Sequence, residues 1–222
     1  MQQEQLSDAD SLWLTTLSSP VQILAAVVIA AALNEPVLLR RTLVYALEHR
    51  VSPCECYEAL LQTYLFAGFP AAVEGLSALS AVLKEQGKEY VQQAQPYDLE
   101  QFRERGEQLC ARIYTSTYGK MRTKMAVVSP DLDAWMIIEG YGKTLSREGL
   151  SVQTRELLIV AVLAALGWQN QLHSHIRGAF NVGVSGDECR TVLALLTKVH
   201  PTPVMHERQQ RAYQLVETLL TP

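Results

Sequence analysis

Two uninterrupted apolar runs constrain the fold of this chain more than any other feature. They lie at residues 23–33 and 157–167 and are equal in length. A helix that crosses a membrane needs about 20 apolar residues, so these runs are too short to span one. A helix that is apolar on all sides is instead surrounded by other helices in the core of a protein. The two runs therefore predict two buried helices, one in each half of the 222-residue chain.

The remaining pattern favours an all-α fold. Alternating runs of Val, Ile or Thr bounded by turn residues, which indicate strands, are almost absent, and helical periodicity dominates. Hydrophobic residues make up 48% of the chain and charged residues 19%, which allows a large core. The pattern predicts helices near 8–17, 20–33, 36–49, 53–66, 70–86, 98–118, 130–145, 152–166, 168–182, 186–198 and 203–220.

The two apolar runs belong to an internal repeat. Residues 20–70 align with residues 153–203 without a gap, and 13 of the 51 pairs are identical. Ser52 and Ser185 occupy matching positions, and each is followed at the third position by a glutamate, which is the pattern of a helix capping box. We therefore expect two units, residues 1–95 and residues 96–222, joined near the polar stretch 84–95.

Charge and cysteine content indicate which partners, metals and cofactors to expect. The formal net charge is -4 and the sequence has no block of Lys or Arg, so we expect no nucleic-acid partner. The polar, acidic start of the sequence does not resemble a signal peptide, so we expect a cytoplasmic protein with no membrane partner. None of the four cysteines forms a CxxC pair or a zinc-like cluster, so we expect no metal and no cofactor.

One acid and one base mark the candidate site. Glu156 begins the second apolar run, and His175 lies on the next predicted helix. Such a pair beside a buried helix can transfer protons. The same two residues are also explained as a hydrogen-bonded pair in a closed core. The other candidates, which would bind a substrate, are Tyr141, Arg147, Arg155, Trp168 and Gln171.

The positions of these candidates favour a common face. Trp168, Gln171 and His175 are spaced by three and four residues, so they share one face of a helix. Arg155 lies in the first turn of its helix, where a cation opposes the helix dipole. We therefore expect a carboxylate beside Arg155, from a ligand or from a side chain such as Glu156.

The segment YGKTLSREGLSVQTRELLIVAVLAALGWQNQLHSHIRGAFNVGVSGDE resembles the carboxymuconolactone decarboxylase family, which also contains the AhpD-like alkylhydroperoxidases. The resemblance covers about residues 130–200, and residues 40–85 resemble part of the same module more weakly. It implies an AhpD-like helical fold, here with two pseudo-repeated units, and assembly into homo-oligomers. The first unit has no acid–base pair at the matching positions, so we expect it to be structural.

The resemblance also separates three functions. The peroxidase members use two cysteines, whose positions fall here on Trp168 and Gln171, and neither side chain can replace a thiolate. The decarboxylase members need no cysteine, and the resemblance implies a cofactor-free enzyme, a decarboxylating lyase or an isomerase. In it, His175 would move the proton and Glu156 would orient His175. Arginine side chains would bind a small anionic substrate such as a carboxylated lactone. A binding or assembly module without catalysis is the alternative, and a peroxidase that uses Cys110 or Cys189 is the third.

Overall fold

The computed structural model describes residues 8–88, 90 and 94–221, and in this part of the chain there is no β-strand. The all-α prediction is confirmed. The α-helices are α1 (Pro20–Ala32), α2 (Pro36–Glu48), α3 (Pro53–Gln62), α4 (Tyr64–Glu85), α5 (Leu99–Tyr114), α6 (Tyr118–Val128), α7 (Pro130–Trp135), α8 (Val152–Leu166), α9 (Gln169–Asn181), α10 (Gly186–Leu193), α11 (Leu196–Val199) and α12 (Pro203–Leu220). Two 3₁₀ segments, Asp8–Thr16 and Thr115–Thr117, and a π-helix, Met136–Leu145, complete the described elements.

The two apolar runs form the centre of the core, as predicted. All residues from 23 to 31 in α1 and from 155 to 165 in α8 are buried, and the two helices pack against each other. The same hydrophobic cluster includes residues of α2, α3 and α4 from the first predicted unit and of α9, α10 and α12 from the second. The two predicted units therefore share one core, and their boundary near residue 95 stays a prediction.

Local sequence sets where these helices begin. Ser52 and Ser185 each form the predicted capping box with Glu55 and Glu188, in which the serine hydroxyl accepts from the glutamate backbone N–H. The glutamate carboxylate in turn accepts from the serine backbone N–H at 2.8 Å in both boxes. Each box satisfies backbone N–H groups that a helix start otherwise leaves unpaired, so both helices begin at the position expected from sequence.

The helix bounds agree with the proposed repeat. The register that aligns Ser52 with Ser185 also aligns α2 with α9 at both ends, and it aligns the first residue of α3 with that of α10. Left-handed backbone conformations recur in the same register: Asn34 and Gly167 follow α1 and α8, and Arg50 and Gly183 follow α2 and α9. The duplication stays a prediction, but a common origin accounts for these matching bounds without further assumptions.

The section before α8 differs from its prediction. The helix predicted over 98–118 ends at Tyr114, where Thr115 takes a left-handed φ of 48°. A hairpin of α6 and α7 follows, and Arg122 joins the two helices through both oxygens of Asp133, at 2.6 and 2.8 Å. The polar residues of α6 concealed this helix in the sequence, and neither α6 nor α7 contains a buried residue.

The π-helix packs unusually close to α5. A methyl group on Gly106 would lie 2.1 Å from the carbonyl oxygen of Ile137, and one on Gly142 would lie 1.8 Å from that of Phe102. Only glycine permits backbones to approach this closely. This contact fixes the π-helix, which forms one wall of the candidate site.

Helix α4 is the one described helix that is long and apolar enough to cross a membrane, with a mean hydropathy of 1.5. Gly68 interrupts its geometry with a φ of 85°, which agrees with the predicted break between 66 and 70. A single such helix is weak evidence for a membrane span, since core helices of soluble proteins have the same length and composition.

Candidate functional site

Glu156 and His175 meet in the protein interior. Nδ1 of His175 lies 2.9 Å from Oε2 of Glu156. Both residues are buried, with 5% of His175 and 1% of Glu156 exposed. Glu156 lies in the first turns of α8, and His175 lies in the middle of α9. The structure therefore joins the acid and the base that the sequence singled out.

A glycine permits this approach. A methyl group on Gly178, one helical turn after His175, would lie 3.2 Å from Oε2 of Glu156 and 2.7 Å from a side-chain carbon of Ile113. Gly167, with a left-handed φ of 81°, ends α8 and lets α9 fold back against it. Both glycines bring the two helices close enough for the carboxylate to reach the imidazole.

A cavity of about 280 Å³ lies beside His175. Its apolar lining comes from Leu65, Phe66, Leu132, Trp135, Met136 and Leu145, and its other lining residues are Tyr114, Glu139, Gly140, Tyr141, Gln171 and His175. Leu132 is 50% exposed and Trp135 is 58% exposed, so the cavity reaches the protein surface. The imidazole and the ring of Phe66 are nearly perpendicular, with their centroids 5.4 Å apart. His175 is thus buried in the protein and yet accessible from a cavity.

Two tyrosines contribute to the polar lining of this cavity. The hydroxyl of Tyr141 donates to the hydroxyl of Tyr114 at 3.2 Å. Burial raises the pKa of Tyr114 to about 12 and that of Tyr141 well above its ordinary value of 10. Both hydroxyls therefore keep their protons near neutral pH and act as hydrogen-bond donors. Tyr141 was predicted from the sequence, whereas Tyr114 was not, because it lies outside the stretch that carried the resemblance.

The two predicted arginines lie in a different cluster. The guanidinium of Arg147 donates to both carboxylate oxygens of Glu58 at 2.8–3.0 Å, and that of Arg155 donates to the same carboxylate at 2.9 Å. Arg155 also donates to Gln62 and to the backbone carbonyls of residues 147 and 148. Neither arginine lines the cavity beside His175. Their role in binding substrate stays a prediction, and the carboxylate beside Arg155 is Glu58, where Glu156 had been suggested.

Sequence reasoning missed Glu58 altogether. It lies in α3 of the first unit, 97 residues before Arg155, and only 2% of it is exposed. A glutamate among apolar helix positions is the one sequence signal that indicates a buried charge, because such a carboxylate needs a cation beside it. Nothing in the linear sequence indicates which cation that is.

The two residues at the family's cysteine positions differ in their surroundings. Gln171 lies at the rim of the cavity, whereas Trp168 is 60% exposed and is not among the lining residues. Three of the four cysteines also lie in surroundings that are unfavourable for thiol chemistry. Cys56, Cys110 and Cys189 are fully buried, and burial raises the pKa of each thiol to about 12. A nucleophilic thiolate would not form at these positions near neutral pH.

Comparison with known proteins agrees with this arrangement. Residues 130–205, which run from α7 to the start of α12, match the model of the carboxymuconolactone decarboxylase family. A 4-carboxymuconolactone decarboxylase of Acinetobacter baylyi is 43% identical over 53 residues, which are 24% of this chain and 40% of that protein. The chain thus spans less than half the length of this relative. Residues 130–205, which hold both Glu156 and His175, are thus similar to the carboxymuconolactone decarboxylase family.

Proposed function

We propose that Glu156 and His175 form a general acid–base site that moves a proton to or from a carbon atom of a small organic substrate, without a cofactor. One observation carries this proposal: His175 bonds Glu156 and also lines a cavity that opens to the surface. An imidazole sealed within hydrocarbon would have no access to a substrate. The family match over residues 130–205 supports the same function.

The geometry supports a separate role for each group. When Glu156 is ionised it only accepts hydrogen bonds, so the Nδ1 atom of His175 carries a hydrogen and donates it to the carboxylate. The other ring nitrogen, Nε2, then has a lone pair for a substrate proton. After it takes that proton, the imidazolium is stabilised by the adjacent carboxylate, and Nε2 becomes an acid. His175 is the catalytic residue, and Glu156 is its positioning residue.

Two reactions use such a pair. In a decarboxylation, as the name of the relative indicates for that protein, the bond to the carboxyl carbon breaks and CO₂ leaves. The electron pair remains on the lactone as an extended enolate, and Nε2 of His175, which has first taken a proton from water, gives that proton to carbon. In an isomerisation, Nε2 removes a proton from one carbon and returns it to another. The double bond moves, and no atom is gained or lost.

Deuterium incorporation tests both reactions. We would incubate the full chain in D₂O with small lactones, among them 4-carboxymuconolactone, and follow deuterium on carbon by NMR. His175→Gln should lower the rate at least ~100-fold, since general acid–base catalysis contributes about 10²–10⁴-fold. Glu156→Gln should cause a smaller loss. His173→Gln, on the same helix and away from the cavity, should change nothing. Full exchange by a folded His175→Gln protein would refute the proposal.

A second candidate is a homo-oligomeric assembly module without catalysis. It is favoured by the α6–α7 hairpin, which has no buried residue and exposes Val127, Val128, Leu132 and Trp135. An apolar surface of this kind marks an interaction site. Light scattering after gel filtration should show an oligomer that the double variant Val127→Lys/Val128→Lys dissociates, whereas Thr123→Lys on the same helix should leave it intact. A monomeric wild-type protein would exclude this candidate.

A further inference from the structure

We infer that the cavity beside His175 takes an uncharged, largely apolar ring compound with a carbonyl oxygen, and that it disfavours carboxylates. This inference rests on the proposed function, because it names the substrate class of the same site. It departs from the expectation that arginine side chains would hold an anionic substrate there.

The charges around the cavity carry the inference. Among the described residues that line it, none is a lysine or an arginine. The lining carboxylate of Glu139 forms an ion pair with Lys143 and accepts a hydrogen bond from the Tyr97 hydroxyl at 3.1 Å. Lys143 is therefore already neutralised. The positive charge that forms on His175 during proton transfer is likewise balanced by Glu156. An entering carboxylate would lose its hydration and gain no unpaired cation.

The nearby arginines cannot supply that cation. Only 10% of the Arg147 side chain and 2% of the Arg155 side chain are exposed, and both donate to Glu58. Turning either guanidinium towards the cavity would remove a partner from a carboxylate that is itself 2% exposed. Breaking a buried ion pair in this way is strongly unfavourable. The cations that looked suited to a substrate are therefore committed to the protein itself.

The polar atoms that remain suit a carbonyl group. Because Tyr141 donates its hydroxyl hydrogen to Tyr114, the Tyr114 hydroxyl hydrogen is left to donate to a ligand oxygen. Phe66, Met136 and Leu145 provide apolar walls beside it. A cavity of about 150 Å³ in another protein holds benzene. The volume here, about 280 Å³, suits one ring with a second ring or a short chain attached.

These groups favour isomerisation over decarboxylation. Nε2 of His175 removes a proton from the carbon next to the carbonyl group, and the electron pair forms an enolate. The Tyr114 hydroxyl donates to the enolate oxygen, where the negative charge develops. His175 then returns the proton to the far carbon of the double bond. One C–H bond breaks, another forms, and no oxidant or reductant is required.

A matched pair of probes tests the substrate class. The neutral probe is γ-phenyl-β,γ-butenolide, and the charged probe is the same molecule with a carboxylate on the para position of the phenyl ring. We expect the full chain to bind the neutral probe at least ~10-fold more tightly by ligand-observed NMR, because the carboxylate lacks a partner in the cavity. The same samples in D₂O should show deuterium entering the neutral probe with wild-type protein, and none with His175→Gln.

An added cation should reverse the preference. Gln171 lies at the cavity rim, so Gln171→Arg should strengthen binding of the charged probe at least ~10-fold, since a guanidinium pairs with carboxylates. Asn170→Arg adds the same charge to the neighbouring position, outside the lining, and should have little effect. Arg147→Gln should not weaken binding of either probe if the protein remains folded.

The outcomes separate this inference from the proposed function. Tighter binding of the charged probe, or failure of both probes to bind, overturns the substrate class. A charged probe that binds more tightly and exchanges deuterium through His175 overturns the substrate class alone and leaves acid–base catalysis standing. A neutral probe that binds but exchanges no deuterium overturns the catalysis and leaves the binding preference standing.

Discussion

Two buried carboxylates in this protein have opposite surroundings. Glu58 is buried between two guanidiniums, those of Arg147 and Arg155. Glu156 bonds a single imidazole, that of His175, and His175 also lines a cavity. Only 2% of Glu58 and 1% of Glu156 are exposed, so burial alone does not distinguish the two.

The difference lies in what each partner can still do. A guanidinium remains protonated in proteins, and both guanidiniums here donate to Glu58, which favours a structural role for this cluster. An imidazole gains and loses a proton near neutral pH and keeps one nitrogen for a ligand. A buried charge therefore indicates function only where its partner is titratable and accessible, and the two clusters test that rule within one chain.

The largest effect should follow from Glu58→Gln. This change leaves two buried guanidiniums without their carboxylate, and breaking such a pair lowers the free energy of unfolding by about 3–5 kcal/mol. Urea denaturation would measure the loss. Glu85→Gln removes a carboxylate whose pair with Arg40 is half exposed, and should lower the free energy of unfolding by less than about 1 kcal/mol. Equal losses for both variants would show that the Glu58 cluster is not structural.

Gly178→Ala should damage the other cluster. The added methyl group would meet Ile113 at 2.7 Å and Glu156 at 3.2 Å, and overpacking of this kind lowers the free energy of unfolding by roughly 1–3 kcal/mol. Because Glu156 must shift, deuterium exchange on the neutral butenolide should fall as well. Gly119→Ala, on α6 with no atom within 4 Å of the added methyl group, should leave both quantities unchanged or improve stability slightly.

Whether the sequence predicts a side-chain cluster depends on how many residues separate its members along the chain. The apolar runs and the capping boxes are local patterns, so the buried helices and their starts followed from them directly. Glu156 and His175 lie 19 residues apart on consecutive helices, and the family resemblance implied that Glu156 orients His175. Glu58 is 97 residues from Arg155, and no local pattern specifies such a pairing.

The rest of the cavity was not predictable for the same reason. Phe66 comes from the first predicted unit and Tyr114 from the early part of the second, and both reach His175 only because α4 and α5 fold against α9 and the π-helix. Helix α6 also escaped prediction, since it is joined to α7 by Arg122 and Asp133 and has no buried face. Helix α7 and the π-helix lie within the helix predicted over 130–145. Long-range packing decides these features, and a single sequence does not record it.

A smaller change in stability should follow from His175→Gln. Glutamine keeps a hydrogen-bond donor for Glu156, so the free energy of unfolding should fall by only about 1 kcal/mol. Turnover should be lost in the same protein. His175→Gln should thus lose turnover and keep most of its stability, whereas Glu58→Gln should lose stability. Measuring both variants tests whether the two buried carboxylates differ in role. A loss of about 3 kcal/mol or more, on the scale for breaking a buried pair, would make His175 a structural residue like Arg155.

The smallest effect should occur at Asp133, a carboxylate intermediate between the two extremes. Its side chain is 14% exposed and accepts from Arg122, which lowers the pKa of the carboxyl group below its ordinary value. A lowered pKa in the folded state stabilises the protein above the pKa of the unfolded state, about 3.9, and this contribution is lost as the pH falls through the folded value.

Asp133→Asn should therefore lower the free energy of unfolding by about 1 kcal/mol at pH 7. In strong acid the wild type also loses its charge, and the two proteins should become equally stable. Urea denaturation of both proteins across this pH range would measure the convergence. A difference that stayed constant with pH would show that the hairpin is held by packing alone, and that carboxylates outside the two buried clusters add nothing to this fold.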